Sequence, residues 1–216
     1  MFSSHQLPQS VVSIYGARGT LIGTGVVVHA GIVLTALHVV DPEPAGRLRV
    51  DRRVGVSTVA SLPLRRFGRV RKLAAISYHR DLILTGDDLG TVDLALLSAP
   101  GLDRPALPLR HSTVENGEVV TVPGYPEGWP DIAVGPVASH DDANFIVGVT
   151  LRTGNSGSPA IDNDGCVAGL ATLDHDTAGT VFVGPQLLAT FLRRAMPLLT
   201  PTYPARLFGW RGEHIE

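Results

Sequence analysis

The chain is divided by Gly, Pro and Asp into many short segments that are rich in β-branched residues. The clearest pair is Leu21–His29 and Ile32–Thr35, joined by the turn signal Ala30-Gly31. Short strands at this spacing predict an all-β sandwich or barrel. The other predicted strands are Val11–Tyr15, Arg47–Val50, Val54–Ala60, Val70–Ser77, Val92–Ser98, Glu118–Val122, Ile132–Ser139, Phe145–Val149, Ala160–Ile161, Cys166–Thr172 and Val181–Val183.

One long helix is predicted over Pro185–Met196. Pro185 suits a first helical turn, and Pro197 disfavours continuation beyond Met196. The apolar residues follow the spacing of a helix that docks one face onto a core. They are Leu187, Leu188, Phe191, Leu192 and Ala195. The coarse plan is two β halves with a link near residues 100–110, then a C-terminal helix and a tail over residues 200–216.

The composition excludes several classes of protein. Cys166 is the only cysteine, so no intramolecular disulfide can form, and no run approaches the about 18 apolar residues of a membrane span. The first residues lack the basic and apolar regions of a signal peptide. We therefore expect a soluble, cytoplasmic protein with no membrane partner. A net charge of -2 also argues against general nucleic-acid affinity.

Positive charge is concentrated between residues 47 and 72, where nine basic residues stand against Asp51 alone. One interpretation is a set of solvated outward strand faces. The other is a docking patch for an acidic partner or for nucleic acid. Phe67 is the only aromatic residue among the arginines, and this composition argues against a base-stacking surface.

The segment Thr153–Pro159 places Ser156 in a glycine-rich turn. Gly154 and Gly157 allow backbone conformations that bulkier residues rarely adopt. A serine nucleophile needs such a turn to expose its hydroxyl and to aim backbone N–H groups at a developing oxyanion. Alone, however, the pattern also fits an ordinary polar β-turn.

Two further polar residues interrupt apolar segments. His38 directly follows the predicted hairpin, and Asp93 precedes the apolar run Leu94–Leu97. A lone histidine there also fits a hydrogen-bonded core residue, and the aspartate also fits a turn cap. Together with Ser156, they supply a base, an orienting carboxylate and a nucleophile, in one of the chain orders that build a catalytic triad.

At these residues the chain resembles the trypsin-like serine peptidases, in particular the branch of bacterial HtrA-type and glutamyl endopeptidases. The resemblance spans roughly Val11 to Leu199. The segments that carry it are Gly23-Thr24-Gly25, Thr35-Ala36-Leu37-His38-Val39, Asp93-Leu94-Ala95-Leu96, Gly154-Asn155-Ser156-Gly157-Ser158-Pro159, Val167-Ala168-Gly169-Leu170 and Phe182-Val183-Gly184-Pro185.

The resemblance implies two packed six-stranded antiparallel β-barrels, an N-terminal one over residues 1–104 and a C-terminal one over residues 105–199. It implies a catalytic triad of His38, Asp93 and Ser156 in the cleft between them, with an oxyanion hole from the N–H groups of Gly154 and Ser156. It implies a protein or peptide substrate, with no cofactor and no metal.

The chain departs from the family at two positions near the implied site. Leu37 replaces a small residue beside the base. Asn155 replaces the aspartate that pairs with a freed N-terminal amine in trypsin, so that activation switch cannot operate. Control would have to come from a regulatory protein partner, a loop rearrangement or substrate supply. We also expect no PDZ-like module after the protease region, unlike in full HtrA proteins.

The resemblance also implies the substrate-binding residues. Thr150, Leu151 and Ala171 would line the primary pocket, and the substrate would lie as an added strand along Thr172–Asp174, with Thr172 and Asp174 in contact. Ala171 stands where glutamyl endopeptidases have a histidine, and Thr150 is not acidic. A small or medium apolar side chain is therefore predicted at the substrate's primary position, although Arg152 and Asp174 lie near enough in sequence to change it.

Two other functions remain open from the sequence. The first is a catalytically silent binding module on the same fold, since a fold does not fix function. The second is a nucleic-acid-binding barrel that uses the arginine segment.

Overall fold

The computed structural model describes residues 7–15, 20–40, 55–57, 85–86, 90–91, 93–99, 102–176 and 178–199. These residues form two β units and a C-terminal helix. The tail over residues 200–216, the nine basic residues between residues 47 and 72, and the predicted strands Arg47–Val50 and Val70–Ser77 lie outside the described residues.

The N-terminal unit is a sheet with the strand order β4-β1-β2-β3-β7 in the described part of the chain. All of its pairings are antiparallel, and the consecutive strands β1, β2 and β3 are neighbours, as expected for hairpins. β2 and β3 turn at Gly31, which has a φ of 68°. The strands are β1 (Val11–Tyr15), β2 (Leu21–His29), β3 (Ile32–Thr35), β4 (Gly55–Ser57) and β7 (Ala95–Ser98).

The C-terminal unit is a closed six-stranded barrel with the order β10-β13-β12-β11-β8-β9. Closure leaves no free sheet edge around this unit. Its interior is apolar and centres on the stacked rings of Phe145 and Phe182, whose centroids are 5.4 Å apart. The strands are β8 (Val119–Gly124), β9 (Asp131–His140), β10 (Asn144–Val147), β11 (Pro159–Ile161), β12 (Val167–Asp176) and β13 (Gly179–Val183).

Three helical segments and one small hairpin complete the described structure. Helix α1 (Leu37–Val40) is a single turn after β3, and a 3₁₀ turn covers Pro126–Gly128. Strands β5 (Thr85–Gly86) and β6 (Gly90–Thr91) pair with each other. Helix α2 (Pro185–Leu199) closes the described chain.

One apolar cluster joins the two β units. Helix α2 contributes Leu188 and Phe191, both about 1% exposed, and they pack with residues of both sheets. The N-terminal sheet contributes Val26, Ile32, Leu34, Leu94 and Leu96, and the barrel contributes Val167, Leu170 and Val183. The helix therefore buries its apolar face between the units rather than on one of them, and it fixes their relative position.

The structure changes two details of the sequence prediction. Helix α2 starts at Pro185 as predicted but continues past Pro197 to Leu199. Pro197 has no N–H to donate to the carbonyl of Arg193, and the helix ends two residues later. His38 was placed directly after the hairpin, but the one-turn helix α1 that carries it was not predicted.

Candidate active site

His38 and Asp93 are brought together by the pairing of β3 with β7. Thr35 pairs with Ala95, so the residues just after β3 lie beside those just before β7. Nδ1 of His38 lies 2.7 Å from Oδ2 of Asp93, and the backbone N–H of His38 donates to Oδ1 over 2.9 Å. The carboxylate therefore holds both the ring and the main chain of the histidine.

The second ring nitrogen of His38 is positioned as an acceptor. An N–H at Nδ1 directed at the carboxylate leaves Nε2 with its lone pair in the neutral ring. Nε2 is buried and has no hydrogen-bond partner among the described residues. An unpaired buried acceptor of this kind is unusual, and it is typical of a site that awaits a reacting group.

Ser156 lies in a turn whose shape depends on glycine. Gly154 and Gly157 have φ angles of 99° and 82°, in the left-handed region that favours glycine. A Cβ on Gly154 would lie 2.5 Å from the carbonyl O of Tyr125. A Cβ on Gly157 would overlap the carbonyl O of Thr24 and Oγ1 of Thr35. Neighbouring backbone therefore reaches the turn too closely for any side chain at these two positions.

Each carbonyl group from residue 153 to residue 156 accepts a hydrogen bond. The N–H of Glu127 donates to the carbonyl of Thr153 over 2.8 Å, and the N–H of Ser158 donates to that of Asn155 over 2.8 Å. Thr24 serves the other two carbonyls. Its hydroxyl donates to Gly154 over 2.7 Å, and its N–H donates to Ser156 over 2.9 Å.

The amides of the same turn are not all used. The N–H groups of Asn155, Gly157 and Ser158 donate to protein carbonyls. Within the described residues, those of Gly154 and Ser156 have no acceptor. Because a trans peptide directs its C=O and N–H to opposite sides, the bonds to the carbonyls of residues 153 and 155 turn these two amides away from their neighbours. The turn thus carries two available donors beside the Ser156 hydroxyl.

The segment that carries His38 contacts the turn that carries Ser156. The position that a Gly157 Cβ would take lies 3.0 Å from the N atom of Ala36, two residues before His38. A Cβ on Gly23 would lie 2.6 Å from Val39 and 3.0 Å from the carbonyl O of Ser156. All three residues predicted for the triad therefore lie in segments that meet at the junction of the two β units.

The five residues predicted to bind substrate occupy different environments. Thr150 is exposed and Thr172 is half-buried, with its hydroxyl donating to the carbonyl of Val181 over 3.3 Å. Leu151 and Ala171 are buried in the core of the barrel. Asp174 lies in β12, and its side chain is outside the described part of the structure. The roles of these residues remain predictions.

The backbone of the Thr172–Asp174 segment is irregular. β12 pairs with β13 at Ala171↔Phe182 and again at His175↔Thr180, with a register shift between them. Two extra residues on β12 therefore form a bulge at this point. A bulge turns backbone groups away from the ladder, which suits the predicted addition of an extended substrate strand.

Two ionisable side chains near these elements have altered pKa values. Burial raises the pKa of Tyr125 to about 12, and the neighbouring Tyr15 adds to the effect. Burial also raises the pKa of the Cys166 thiol, with Asp162 as a second cause. Both groups therefore favour the neutral form. No cluster of metal-ligating side chains occurs in the described ranges, and no helix there is long and apolar enough to cross a membrane.

Sequence reasoning missed the surroundings of the serine turn. Thr24 was singled out only as part of a glycine-containing motif, and Tyr125 and Glu127 were not singled out. Glu127 has a φ of 53° within the 3₁₀ turn, a conformation uncommon for a residue with a side chain. The Gly124-Tyr125-Pro126-Glu127-Gly128 sequence was the available signal, because its glycines and proline mark a tight turn.

The trypsin-like peptidase domain family matches residues 23–170, which is more than half of the chain. The chain therefore belongs to the trypsin-like peptidase family. This range contains His38, Asp93 and Ser156. No curated protein matches the chain in sequence.

Solved structures confirm the double-barrel fold. A mutant of Rv3671c from M. tuberculosis, in its inactive form, aligns with a TM-score of 0.61 at 21% identity, over 91% of this chain and 89% of that chain. A serine endoprotease from Yersinia pestis aligns with a TM-score of 0.61 at 24% identity, over 88% of this chain and 63% of that chain. Human heparin binding protein aligns with a TM-score of 0.62 at 18% identity, over 91% and 95% of the two chains. At these identities the likeness is one of fold.

Proposed function

We propose that this peptidase-family protein is an active serine endopeptidase that hydrolyses peptide bonds of protein substrates. Ser156 is the nucleophile, His38 is the general base, and Asp93 orients and stabilises the imidazole. The observation that carries the proposal is the contact of His38 with Asp93, at 2.7 Å between Nδ1 and Oδ2. This contact leaves Nε2 as a buried acceptor with no partner in the described residues.

The reaction would proceed in two steps through an acyl-enzyme. Nε2 of His38 accepts the proton of the Ser156 hydroxyl as Oγ attacks the carbonyl carbon of the substrate. The imidazolium then gives that proton to the leaving amine, and the acyl group stays on Oγ. Nε2 then takes a proton from water as the water attacks the ester carbon; the bond to Oγ breaks, the imidazolium returns the proton to Oγ, and the acid is released. Asp93 keeps the ring in one tautomer and favours its charged form throughout.

The tetrahedral intermediates carry negative charge on the former carbonyl oxygen. The amides of Gly154 and Ser156 are the donors proposed for this oxygen. Their availability supports the assignment, since the bonds to the neighbouring carbonyls fix the peptide planes before a substrate arrives. Donors fixed in advance need no reorganisation during the reaction, and one such donor is typically worth about 10²–10³ in rate.

The substrate would bind as an extended strand beside the bulge at Thr172–Asp174, with its primary side chain near Thr150. Leu151 and Ala171 are apolar and buried in the barrel core, so neither brings a charge to this region. The absence of charge at these two predicted pocket positions supports a small or medium apolar residue at the cleaved position. Arg152, which follows Leu151 directly in the chain, forms an exposed ion pair with Asp131 over 3.2 Å.

A fluorophosphonate probe tests the chemistry directly, because it phosphonylates only a serine that is activated as a nucleophile. The wild-type protein should be labelled and should cleave an unfolded protein substrate. Ser156→Ala should lose both the label and the cleavage, by at least about 10⁴-fold in rate. Sequencing of the new termini would give the side-chain preference from the same reaction.

Ser139→Ala is the matched control, because Ser139 is an exposed serine on β9. This variant should keep wild-type labelling and cleavage. Absence of labelling in the wild type, when a known serine protease is labelled in the same tube, would contradict the proposal.

The alternative is a catalytically silent binding module on the same fold. One structural neighbour is named as a heparin binding protein, so this fold also occurs in a protein named for binding. The glycines and the two available amides of the serine turn favour the enzyme, since a binding role does not require them. A biological effect that persists unchanged in Ser156→Ala would favour the binding module.

A further inference from the structure

We infer that Thr24 is a positioning residue for the oxyanion-binding turn, and that it links this turn to the half of the site that holds His38. The inference deepens the proposed function and rests on it. Thr24 belongs to β2 of the N-terminal sheet, and the turn belongs to the C-terminal barrel, 130 residues further along the chain. None of the described hydrogen bonds of Thr24 is to a side chain of the triad; its bond to Ser156 is to the main-chain carbonyl.

Thr24 is fully buried, and every polar group of the residue is used. Its hydroxyl donates to the carbonyl of Gly154 over 2.7 Å and accepts from the N–H of Tyr125 over 3.1 Å. Its N–H donates to the carbonyl of Ser156 over 2.9 Å. Its own carbonyl accepts from the hydroxyl of Thr35 over 2.7 Å.

The strand pairing explains why these groups are available. The pairing of β2 with β3 is described from Val26 onward, opposite Leu34. Thr24 lies two residues earlier, where its main chain has left that ladder but still pairs with Ser13 of β1 on the other side. Its N–H is therefore available to the barrel and donates to the carbonyl of Ser156, while its carbonyl accepts from the side chain of Thr35 in β3.

The bonds act on the peptides that flank the two proposed oxyanion donors. The hydroxyl of Thr24 fixes the carbonyl of Gly154, and its N–H fixes the carbonyl of Ser156. In both Gly154 and Ser156, the carbonyl that Thr24 bonds and the proposed N–H donor belong to the same residue. Fixing the direction of the carbonyl therefore limits rotation about the backbone bonds of that residue. The Tyr125 N–H bond holds the hydroxyl oxygen in place, which leaves its hydrogen for Gly154.

The same residue connects the serine turn to the histidine. Thr35, which donates to the carbonyl of Thr24, is the last residue of β3 and lies three positions before His38. The chain of bonds from Thr35 through Thr24 to Gly154 therefore ties together two parts of the site that come from different β units. A small displacement between base and oxyanion donors is expected to slow the reaction strongly.

The test compares Thr24→Val with Thr24→Ser in the full chain. Valine keeps the volume and loses the hydroxyl, whereas serine keeps the donor. Peptide hydrolysis is measured per active site, titrated with the fluorophosphonate, together with inhibition by a peptide aldehyde of matching sequence. The aldehyde forms a tetrahedral adduct on the serine and so reports on oxyanion binding.

We expect Thr24→Val to lower kcat about 10- to 100-fold with KM changed less than about threefold, and to weaken the aldehyde in parallel with kcat. Thr24→Ser should stay within about threefold of wild type in kcat. Thr121→Val is the control. Thr121 is a half-buried threonine of β8, and none of its described hydrogen bonds reaches residues 153–158.

A purely structural role would lower the titrated fraction of active protein and leave kcat per site unchanged, which would overturn the inference. If Thr24→Val does not fold, the Thr35→Val variant tests the inference instead. Thr35→Val removes only the donor to the Thr24 carbonyl, and a wild-type kcat and aldehyde affinity in this variant would overturn the inference. A wild type that takes no label contradicts the proposed function itself, whereas a labelled wild type with an unaffected Thr24→Val contradicts only the role of Thr24.

Discussion

The two halves of the candidate site are held in different ways. On the N-terminal side, His38 is held by side-chain chemistry, because one carboxylate receives both its ring N–H and its backbone N–H. On the barrel side, the turn of Ser156 is held through its four carbonyls. Three of them accept from main-chain N–H groups, and the fourth, that of Gly154, accepts from the hydroxyl of Thr24.

This difference predicts which kinds of mutation should affect each half of the site. The histidine half depends on the chemical identity of one acceptor, Asp93. The side chains of His38 and Asp93 are 16% and 29% exposed. The serine half depends on the absence of side-chain volume at Gly154 and Gly157. Changes of charge should therefore remove activity from the first half without unfolding it, and added volume should disrupt the second half.

Asp93→Asn is expected to have the largest effect on activity. The amide oxygen can still accept the backbone N–H of His38, but the NH₂ group then faces Nδ1 and favours the ring tautomer with its proton on Nε2. That tautomer cannot accept the serine proton. We expect a loss on the order of 10⁴-fold in kcat for peptide hydrolysis.

The free energy of unfolding separates this loss from simple misfolding. Asp93→Asn should unfold in urea within about 1 kcal/mol of wild type, because the backbone bond is kept. Asp103→Asn, at an exposed aspartate of the link, should change neither activity nor stability. A fully active Asp93→Asn would show that the carboxylate has no part in catalysis.

Gly157→Ala tests the other half of the comparison. A Cβ at this position meets the carbonyl O of Thr24 and Oγ1 of Thr35 and must adopt a positive φ. Strain and overpacking together should lower the free energy of unfolding by about 3 kcal/mol. Activity should fall with it, since the serine turn must shift.

Gly165→Ala supplies the matched control, because Gly165 has a φ of +80° and no atom within 4 Å of the position that a Cβ would take. Gly165→Ala should therefore lower the free energy of unfolding only by the cost of the positive φ, about 1 kcal/mol. Equal losses for the two variants in urea denaturation would show that the packing of Gly157 against the N-terminal sheet contributes nothing.

Tyr125→Phe has the smallest expected effect and is visible only at alkaline pH. Burial raises the pKa of Tyr125 to about 12, above the value of about 10 in an unfolded chain. The unfolded state therefore loses its phenolic proton first, and stability falls as pH rises through about 10 to 12.

Phenylalanine cannot ionise, so the variant should lack this part of the alkaline loss, which is at most about 1.4 kcal/mol for each pH unit between 10 and 12. Below about pH 9 the two proteins should differ by less than about 1 kcal/mol, because the phenol bonds the Val11 carbonyl over a long 3.4 Å. Chemical denaturation at pH 8 and pH 11 gives both values, and parallel pH profiles would contradict the raised pKa.

Local signals in the sequence were enough for most of the fold. The hairpin of β2 and β3 was predicted with its bounds because alternation and a turn residue at Gly31 agree with each other. The helix from Pro185 was found by its apolar spacing. By contrast, α1 has only four residues, which is too short for any periodicity to appear.

The candidate site was predictable only in part. His38 and Asp93 were paired in the prediction, and the structure places them in hydrogen-bond contact. The four donors to the serine turn could not be read from local sequence. Thr24 and Glu127 approach the turn through tertiary contacts, and a threonine in a strand has the same local pattern whether or not its hydroxyl bonds a distant carbonyl.

Helix α2 has a consequence for how this molecule is made in the cell. Leu188 and Phe191 fill the space between strands that were synthesised much earlier, including Leu34 and Leu96. While a ribosome still shields helix α2, the earlier strands lack part of their packing partner. The junction of the two β units would then be completed only after this helix has emerged, so the candidate site is expected to assemble after both units have been synthesised.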